Sequence, residues 1–513
     1  MYKDQKILIA KNNKGEELFL NPGMANRHGL IAGATGTGKT VTLKVMAESF
    51  SAMGVPVFVS DVKGDLAGCA LSGKESDDMK ERIERFGLTE TDFSFRGYPV
   101  NFWDIYGKRG IQLRTTISEM GPLLLSRILS LNDTQSDILK VVFRIADEEG
   151  LLLIDTKDLK SMLNYVSENN KVYEPEYGKM SSVSIAAIIR SVVSLEASGG
   201  DVFFGEPAIG IFDLFSQTDG KGVINILDCT SLINDGVLYS TFLLYLMSEL
   251  FETLPEVGDL DRPKMVFFFD EAHLLFNGAS KAFLEKIEQV VKLIRSKGVG
   301  IYFITQNPKD IPGGVLAQLG NKVQHALHAY IPAEQKAVKA AAEGFRENPG
   351  FDTQEAILEL GTGEAVVSFL DEKGIPGMAE RAFILPPESL MGSIDDEERY
   401  RRIKGSMYYS KYATPIDPDS AYEFLQRRGI ERAEEAENEK ALTAYEKQAA
   451  KEKEAQARQA KKAAKSLGTT VAGTVGREVG KSVGKSFGSF GKTLGGNVGA
   501  SLGRGILSTL FKM

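Results

Sequence analysis

The octapeptide GATGTGKT, Gly33 to Thr40, constrains the fold of this chain more than any other part of the sequence. It matches the pattern G-x-x-x-x-G-K-[ST] in full, between the apolar run HGLIA and the helix-forming run TVTLKVMAESF. Glycine allows backbone conformations and close approaches that a side chain would block. The sequence therefore predicts a strand, a tight loop and a helix, in which successive backbone N–H groups converge on a phosphate.

Two side chains of this loop have predicted chemical roles. Lys39 is expected to reach the β- and γ-phosphates of a nucleotide, and the hydroxyl of Thr40 is expected to bind Mg²⁺. The remaining residues predicted to bind the nucleotide are Gly33, Ala34, Thr35, Gly36, Thr37, Gly38 and Val41. ATP and Mg²⁺ are the cofactors that follow, although no base-reading motif distinguishes ATP from GTP.

Five apolar, β-rich runs predict the mainly parallel sheet of an α/β fold. They are HGLIAG before the loop, PVFVSD ending at Asp61, GVINILD ending at Asp228, KMVFFFDE ending at Asp270 and Glu271, and VGIYFITQ ending at Gln306. Ligands bind beyond the carboxyl ends of strands in such sheets. The polar residues that end these runs are therefore expected to converge on one crevice.

The acid pair in MVFFFDEAH is the second chemical signal. Asp270 is predicted to hold Mg²⁺, and Glu271 is predicted to act as the general base toward the attacking water. Gln306 is expected to sense the γ-phosphate or orient the water, with a capping amide in the next turn as the alternative. Asp61 has two equal interpretations, support of the metal and water or a residue of the following turn.

Two arginines are candidates because phosphoryl transfer needs positive charge at the γ-phosphate. Arg27 lies just before the first predicted strand, and Arg295 closes the helix before the fifth. Spacing alone does not separate either of them from a surface arginine. Cys69 and Cys229 show no metal-binding spacing, and Cys229 is interpreted as a small buried residue at a strand end.

Composition divides the chain into five predicted segments. They are 1–63 and 221–387, the two parts of a nucleotide-binding core; 64–220, a mostly helical insertion; 388–465, a helical extension; and 466–513, a Gly-rich amphipathic tail. In the tail, apolar residues recur every fourth position and are commonly followed by glycine. Such a helix needs a partner helix, a protein partner or an anionic membrane surface to be ordered, and a flexible Gly/Ser tail is the alternative.

The bulk properties restrict location and partners. The formal net charge of −8 indicates that contact with a polyanion would need a local basic patch or a pore. The N-terminus lacks the features of a signal peptide, and no run of 18 apolar residues is present. A cytoplasmic protein is expected, with a peripheral membrane location through the tail as a second possibility.

With these motifs in their observed order, the sequence resembles the FtsK–HerA superfamily of motor ATPases, in particular its bacterial HerA-like branch with the YjgR-type proteins. The resemblance is carried by RHGLIAGATGTGKT, VFVSDVKGDLAG, VFFFDEAHLLF, GIYFITQNPKDIPGGVLAQLGNKVQHAL and GEAVVSFL. It implies a RecA-like P-loop core, ATP hydrolysis at subunit boundaries and a ring, here expected to be a hexamer. It also implies that Arg27 acts on the nucleotide of a neighbouring subunit and that Arg295 and Gln306 match family positions.

The resemblance favours an enzyme, a P-loop ATPase that translocates or unwinds DNA. The N-terminal β-barrel of archaeal HerA is not expected here, and neither the helical insertion nor the tail belongs to the common core. Two other functions therefore stay open. One is an ATPase that acts on protein or at a membrane through residues 466–513, and the other is a nucleotide-gated scaffold.

Overall fold

The centre of the protein is a large β-sheet, seen in a computed structural model that describes residues 1–466 except 4, 89–92, 259, 278 and 280. Thirteen strands of this described part belong to the sheet, and β8 and β9 form a separate hairpin. The strands are β1 Tyr2–Lys3, β2 Lys6–Asn12, β3 Glu17–Leu20, β4 Gly29–Ala32, β5 Val57–Asp61, β6 Val100–Asp104, β7 Ile111–Gln112, β8 Gln217–Thr218, β9 Lys221–Gly222, β10 Ile224–Asp228, β11 Met265–Phe269, β12 Val299–Thr305, β13 Asn321–Gln324, β14 Glu364–Ser368 and β15 Glu380–Ile384.

The strand order is β1-β2-β15-β14-β13-β4-β12-β11-β5-β10-β6-β7, and β3 pairs in addition with β2. From β13 to β7 every neighbouring pair is parallel, whereas β14, β15 and the N-terminal strands pair antiparallel. The predicted α/β class with a mainly parallel sheet and a RecA-like core is confirmed. The strand that enters the GATGTGKT loop, β4, is separated from the acid-pair strand β11 by β12 alone.

All five strands predicted from apolar runs are present, and burial on both faces explains why. Every residue of β11 and β12 is buried, as are those of β4, β5 and β10. Parallel strands covered by helices on both faces read as continuous apolar runs rather than as alternating ones. Phe58 and Phe267 stack with ring centroids 4.9 Å apart and join neighbouring strands within this core.

The segment 64–220, predicted to be a mostly helical insertion without sheet character, contributes β6 and β7 to the main sheet. The prediction was wrong for Val100–Asp104, which pairs parallel with β10, and for Ile111–Gln112, which pairs parallel with β6. The β6 strand is a short run, VNFWD, whose partner lies more than a hundred residues further along the chain. Local periodicity therefore gives little signal for this strand. In the fold, Trp103 is fully buried and its indole N–H donates to Asn225 Oδ1 at 3.0 Å.

Helices cover the sheet and fill most of the segment between β7 and β8. The helices are α1 Lys39–Ala52, α2 Asp77–Arg85, α3 Ile117–Ile128, α4 Asp133–Glu148, α5 Thr156–Glu168, α6 Asn170–Tyr177, α7 Ser182–Ala197, α8 Gly200–Phe203, α9 Gly236–Thr253, α10 His273–Phe276, α11 Lys281–Ile294, α12 Gly313–Leu316, α13 Pro332–Glu343, α14 Thr353–Glu359, α15 Asp396–Gly405, α16 Tyr409–Tyr412 and α17 Ala421–Ser466. The α9 helix is almost entirely buried and packs against α3, α10 and α11.

The chain divides into two units, residues 1–428 and 429–513. The first unit holds the sheet and the helices down to α16, and the long helix α17 begins within it. The Gly-rich amphipathic tail predicted for 466–513 lies, apart from Ser466, outside the described residues. Among the residues that the structure describes, no single helix has both the length and the hydropathy to cross a membrane. Only α6 and α7 taken together meet both criteria, and the two helices are bent by 105° relative to each other.

Candidate functional site

The loop between β4 and α1 depends on glycine at both of its ends. Gly33 has φ +152° and Gly38 has φ +119°, which are conformations that side chains disfavour. A Cβ on Gly33 would also lie 2.5 Å from the Cβ of His325. Gly33 is therefore required by backbone angle and by space, and Gly38 by backbone angle. The loop leads directly into the N-terminus of α1.

Backbone hydrogen bonds hold this loop from both neighbouring strands. The N–H of Gly33 donates to Thr305 O of β12 at 3.3 Å, and the N–H of Ala34 donates to Ala326 O after β13 at 2.8 Å. On the outer side, the N–H of Gly363 donates to Thr37 O at 3.0 Å. The loop is thus fixed in shape by residues far away in the sequence.

Lys39 points back over the loop. Its ammonium donates to Gly33 O at 2.6 Å and to Ala34 O at 2.9 Å, and the residue is only 6% exposed. Burial lowers the pKa of Lys39, and the nearby Lys63 lowers it further, whereas the carboxylates of the acid pair raise it. The Lys39 ammonium and the carboxylates of the acid pair are therefore close enough to interact electrostatically.

The acid pair follows β11 and is held by β5 and α9. The N–H of Asp270 donates to Ser60 Oγ at 3.1 Å, and the hydroxyl of Tyr239 donates to Asp270 O at 2.8 Å. Burial raises the pKa of Asp270 to about 7, with the Lys63 ammonium opposing that rise. Glu271 has φ +46°, a left-handed conformation that costs a non-glycine residue about 1 kcal/mol or more.

Three polar side chains surround the carboxylate of Glu271. The Lys63 ammonium lies 3.1 Å from Oε1, the Gln306 amide nitrogen lies 3.4 Å from both oxygens, and His273 Nδ1 lies 3.5 Å from Oε2. Burial alone would lower the pKa of Lys63, but the carboxylates of Asp270 and Glu271 raise it overall. These contacts fix the direction of the carboxylate.

The strand order explains why these side chains meet. The neighbours β4, β12, β11 and β5 are parallel, so their carboxyl ends form one edge of the sheet. The structure brings together four predicted site residues at that edge: Lys39, Asp270, Glu271 and Gln306. Lys63 was not predicted, although the sequence VSDVKGD places it just after a strand end at the same edge.

The first turn of α1 supplies the predicted metal-binding hydroxyl. Thr40 is partly exposed, and the Asp270 carboxyl is the second predicted ligand. Hydroxyl and carboxylate oxygens suit Mg²⁺, which takes few protein ligands and completes its octahedral shell with phosphate oxygens and water. The described residues contain no group of three or more His, Cys, Asp or Glu that would hold a metal ion.

A buried histidine supports the loop from below and was missed by sequence reasoning. His325 is fully buried; its Nε2 lies 2.8 Å from Thr42 Oγ1 and its Nδ1 lies 2.8 Å from Glu364 O. Burial lowers the pKa of His325 to about 4, and the Lys39 ammonium acts in the same direction. The ring is therefore neutral at physiological pH and serves as a support for the loop.

Asp61 takes part in a turn. Its Oδ1 accepts from the N–H of Gly64 at 2.7 Å, and its Oδ2 accepts from the N–H of Leu66 at 3.1 Å. Burial raises the pKa of Asp61 to about 6, with Asp65 adding to the rise. Both carboxylate oxygens hold the segment that carries Lys63, so the turn interpretation describes its contacts. Cys229 is fully buried, as expected.

The structure does not bring the two predicted arginines to this edge within one chain. Arg27 precedes β4 and Arg295 precedes β12, whereas the loop and Gln306 follow those parallel strands. The two arginines thus lie at the amino-terminal edge of the sheet, where Asn26 Nδ2 donates to Arg295 O at 3.4 Å. A role for them at a nucleotide needs a second chain.

Comparison with known proteins gives the family of the chain. A family model described as "Helicase HerA-like C-terminal" matches residues 6–513. The "DNA double-strand break repair helicase HerA" of Sulfurisphaera tokodaii is 22% identical over 362 residues, which are 68% of this chain and 64% of that protein. The protein of the same description from Sulfolobus acidocaldarius is 19% identical over 366 residues, or 69% of this chain and 64% of that protein.

Among solved structures, the VirB4 protein of Thermoanaerobacter pseudethanolicus aligns with a TM-score of 0.49 at 15% identity, covering 75% of this chain and 97% of that one. The chain spans less than two thirds of the length of the HerA relatives. The family match, in contrast, covers nearly all of the chain and includes both the glycine loop and the acid pair. This protein therefore belongs to the HerA-like helicase family.

Proposed function

We propose that this protein hydrolyses ATP with Mg²⁺ and uses the energy to move DNA as an oligomeric ring. One observation supports the hydrolysis above all others. The fold places the glycine loop with Lys39 and the acid pair Asp270 and Glu271 at one edge of the sheet, a single strand apart. The carboxylates of Asp270 and Glu271 raise the pKa of Lys39 there, against the larger lowering by burial.

The residue roles follow from this geometry. Backbone N–H groups of the loop and the N-terminus of α1 bind the phosphates, and Lys39 places positive charge at the β- and γ-phosphates. The residues proposed to bind the nucleotide are Gly33, Ala34, Thr35, Gly36, Thr37, Gly38, Lys39, Thr40 and Val41. Thr40 and Asp270 are proposed to hold Mg²⁺, which neutralises charge that develops on the phosphate oxygens.

Glu271 is proposed to accept a proton from the water that attacks the γ-phosphate. Its carboxylate already has a fixed direction, because Lys63 lies 3.1 Å from one oxygen and the amide of Gln306 lies 3.4 Å from both. Gln306 can therefore orient the base and, next to it, the water. The left-handed backbone of Glu271 agrees with a strained functional position rather than a relaxed structural one.

The arginine positions support assembly. Because Arg27 and Arg295 lie at the sheet edge opposite the nucleotide site, one chain cannot use them on its own nucleotide. In a head-to-tail ring, the amino-terminal edge of one subunit can face the glycine loop of the next, and such heterologous contacts close into rings. We propose that Arg27 reaches the γ-phosphate of the adjacent subunit in this way, with Arg295 beside it.

The proposed DNA substrate follows from family membership and from the HerA relatives, which are named as DNA double-strand break repair helicases. The net charge of −8 requires that a ring bind DNA through a local basic lining. Such binding would weaken steeply with salt, because neutralised phosphates release counterions. The alternatives through residues 466–513 concern a segment that, apart from Ser466, lies outside the described residues.

The test is ATP turnover by the purified protein at low salt, without nucleic acid and with single-stranded, duplex and branched DNA. Stimulation by DNA that disappears with rising salt is expected. A Glu271→Gln variant should bind ATP and show neither basal nor stimulated turnover. Equal turnover by wild type and Glu271→Gln contradicts the hydrolytic site, whereas hydrolysis that no DNA stimulates contradicts the DNA motor alone. Native mass spectrometry with and without ATP gives the subunit number.

A further inference from the structure

An arginine outside the predicted site lies next to the glycine loop. Arg82, on α2, is half-buried against Gly363: a Cβ built on that glycine would lie 3.2 Å from Arg82 Nη1 and 3.3 Å from Nη2. Gly363 in turn donates its N–H to Thr37 O at 3.0 Å, and its Cα would lie 3.4 Å from a Cβ on Gly38. One glycine therefore separates the guanidinium from the loop.

Contacts at the end of α2 hold this helix against the neighbouring strands. Phe86 is 2% exposed, and its carbonyl accepts from the Lys11 ammonium at 2.7 Å. The Arg85 guanidinium lies 4.5 Å above the ring of Phe383 in β15. Residues three and four apart share one helix face, so Arg82 lies on the docked face, one turn earlier.

The guanidinium of Arg82 differs from its neighbours in its partners. Arg85 pairs with Glu81 at 2.7 Å, and Arg381, on β15, pairs with Glu364 at 3.0 Å. Within the described part of the chain, no acceptor lies within hydrogen-bonding distance of the Arg82 guanidinium. A guanidinium carries five N–H donors, and a partly buried one is stabilised by an anion.

The strand order shows which end of a nucleotide would meet this cation. The acid pair follows β11, on one side of β4, while Gly363 immediately precedes β14, on the other side. A triphosphate in the glycine loop with its γ-phosphate beside Glu271 therefore has its nucleoside end toward Gly363. The first phosphate on that side is the α-phosphate.

We propose that Arg82 binds the α-phosphate of the nucleotide in the same chain, at the end of the site remote from the acid pair. This inference rests on the proposed function of the glycine loop and adds a binding residue to it. Because the contact is the same before and after loss of the γ-phosphate, it strengthens the binding of ATP and ADP alike. Arg82 belongs to the segment 64–220, so that segment contributes to the nucleotide site.

Equilibrium titrations with ATP and ADP in the presence of Mg²⁺ test this, on full-length wild type, Arg82→Ala and the matched control Arg85→Ala. Loss of a hydrogen bond to a charged group predicts weaker binding of both nucleotides to Arg82→Ala by about ten- to a hundredfold. Turnover at saturating ATP should stay near the wild-type value. A contact that is equally strong in bound ATP and in the transition state affects KM and not kcat. Arg85→Ala should bind both nucleotides within about twofold of wild type.

An unchanged affinity of Arg82→Ala for both nucleotides would overturn the proposal, as would a lower kcat with unchanged affinity, which would assign Arg82 to the γ-phosphate. Melting curves show whether each variant is folded. Arg82→Lys keeps the positive charge, so its nucleotide affinity should lie between that of wild type and that of Arg82→Ala. Failure of the proposed function gives a different result, since wild type and Lys39→Ala would then both fail to bind nucleotide.

Discussion

Replacing Asp270 by asparagine should stabilise the nucleotide-free protein at alkaline pH. Burial raises the pKa of this carboxyl from 3.8 to about 7 in the folded chain. The folded state thus binds the proton more tightly than the unfolded state, so stability falls as pH rises from about 4 and the loss is complete above about 7. A shift of roughly three pKa units corresponds to about 4 kcal/mol at pH 8.

The variant removes the buried charge and keeps the local hydrogen bond. The N–H of Glu271 donates to Asp270 Oδ1 at 3.0 Å, and an asparagine oxygen can accept the same bond. Asp270→Asn should therefore be more stable than wild type by up to about 4 kcal/mol at pH 8 and by roughly 1 to 2 kcal/mol at pH 5, because part of the wild-type penalty is still absent there. Addition of Mg²⁺ and ATP should stabilise the wild type much more than the variant.

Denaturant and thermal unfolding at pH 5, 6, 7 and 8, with and without Mg²⁺ and ATP, measure these differences. Asp228→Asn is the contrast at a neighbouring strand end. Asp228 accepts from Arg109 Nε at 2.9 Å and from Arg399 Nη1 at 3.3 Å, so this change should destabilise the protein by leaving a buried guanidinium unpaired. An Asp270→Asn protein less stable than wild type at pH 8, or a difference independent of pH, would refute the electrostatic reasoning.

Three further predictions concern the same site. Glu271→Gln should keep ATP affinity and lose at least about a hundredfold in kcat, seen in single-turnover assays, since a positioned base contributes this much; a kcat near wild type would remove its role. Gly33→Ala would bring a methyl group within 2.5 Å of His325 Cβ and should abolish ATP binding in titrations, and full affinity would mean that the loop tolerates the methyl group. Arg27→Ala and Lys39→Ala should each be inactive alone. Mixing the two variants should restore partial turnover, because some subunit boundaries then combine an intact glycine loop with an intact arginine. No recovery in the mixed oligomers would argue against action between subunits.

Local patterns in the sequence predicted the parallel core and the sheet edge that carries the glycine loop and the acid pair. Continuous apolar runs indicate buried parallel strands, and the spacing of GATGTGKT specifies its own strand, loop and helix. The polar residues at strand ends, Asp270, Glu271 and Gln306, follow from the rule that such ends converge. These features depend on short segments, so a single sequence is enough to find them.

The parts that were missed depend on contacts between distant segments. The β6 strand pairs with a partner more than a hundred residues away, and its five residues carry little periodicity of their own. His325 supports a loop almost 300 residues earlier, and Lys63 pairs with Glu271 only because β5 lies beside β11. Composition and spacing do not reveal such pairs, since the sheet order that creates them is a property of the whole fold.

Tyr239 connects the acid pair to α3 through hydrogen bonds and the helix α9. Its hydroxyl contacts both Ser60 and the main-chain carbonyl of Asp270, and the next residue of α9, Ser240, accepts a hydrogen bond from Arg127 of α3 at 3.0 Å. One rigid helix thus links the surface helices of the segment 64–220 to the peptide unit between the two acids. A displacement of α3 would therefore act through α9 on the peptide unit between Asp270 and Glu271, without any direct contact with either acid.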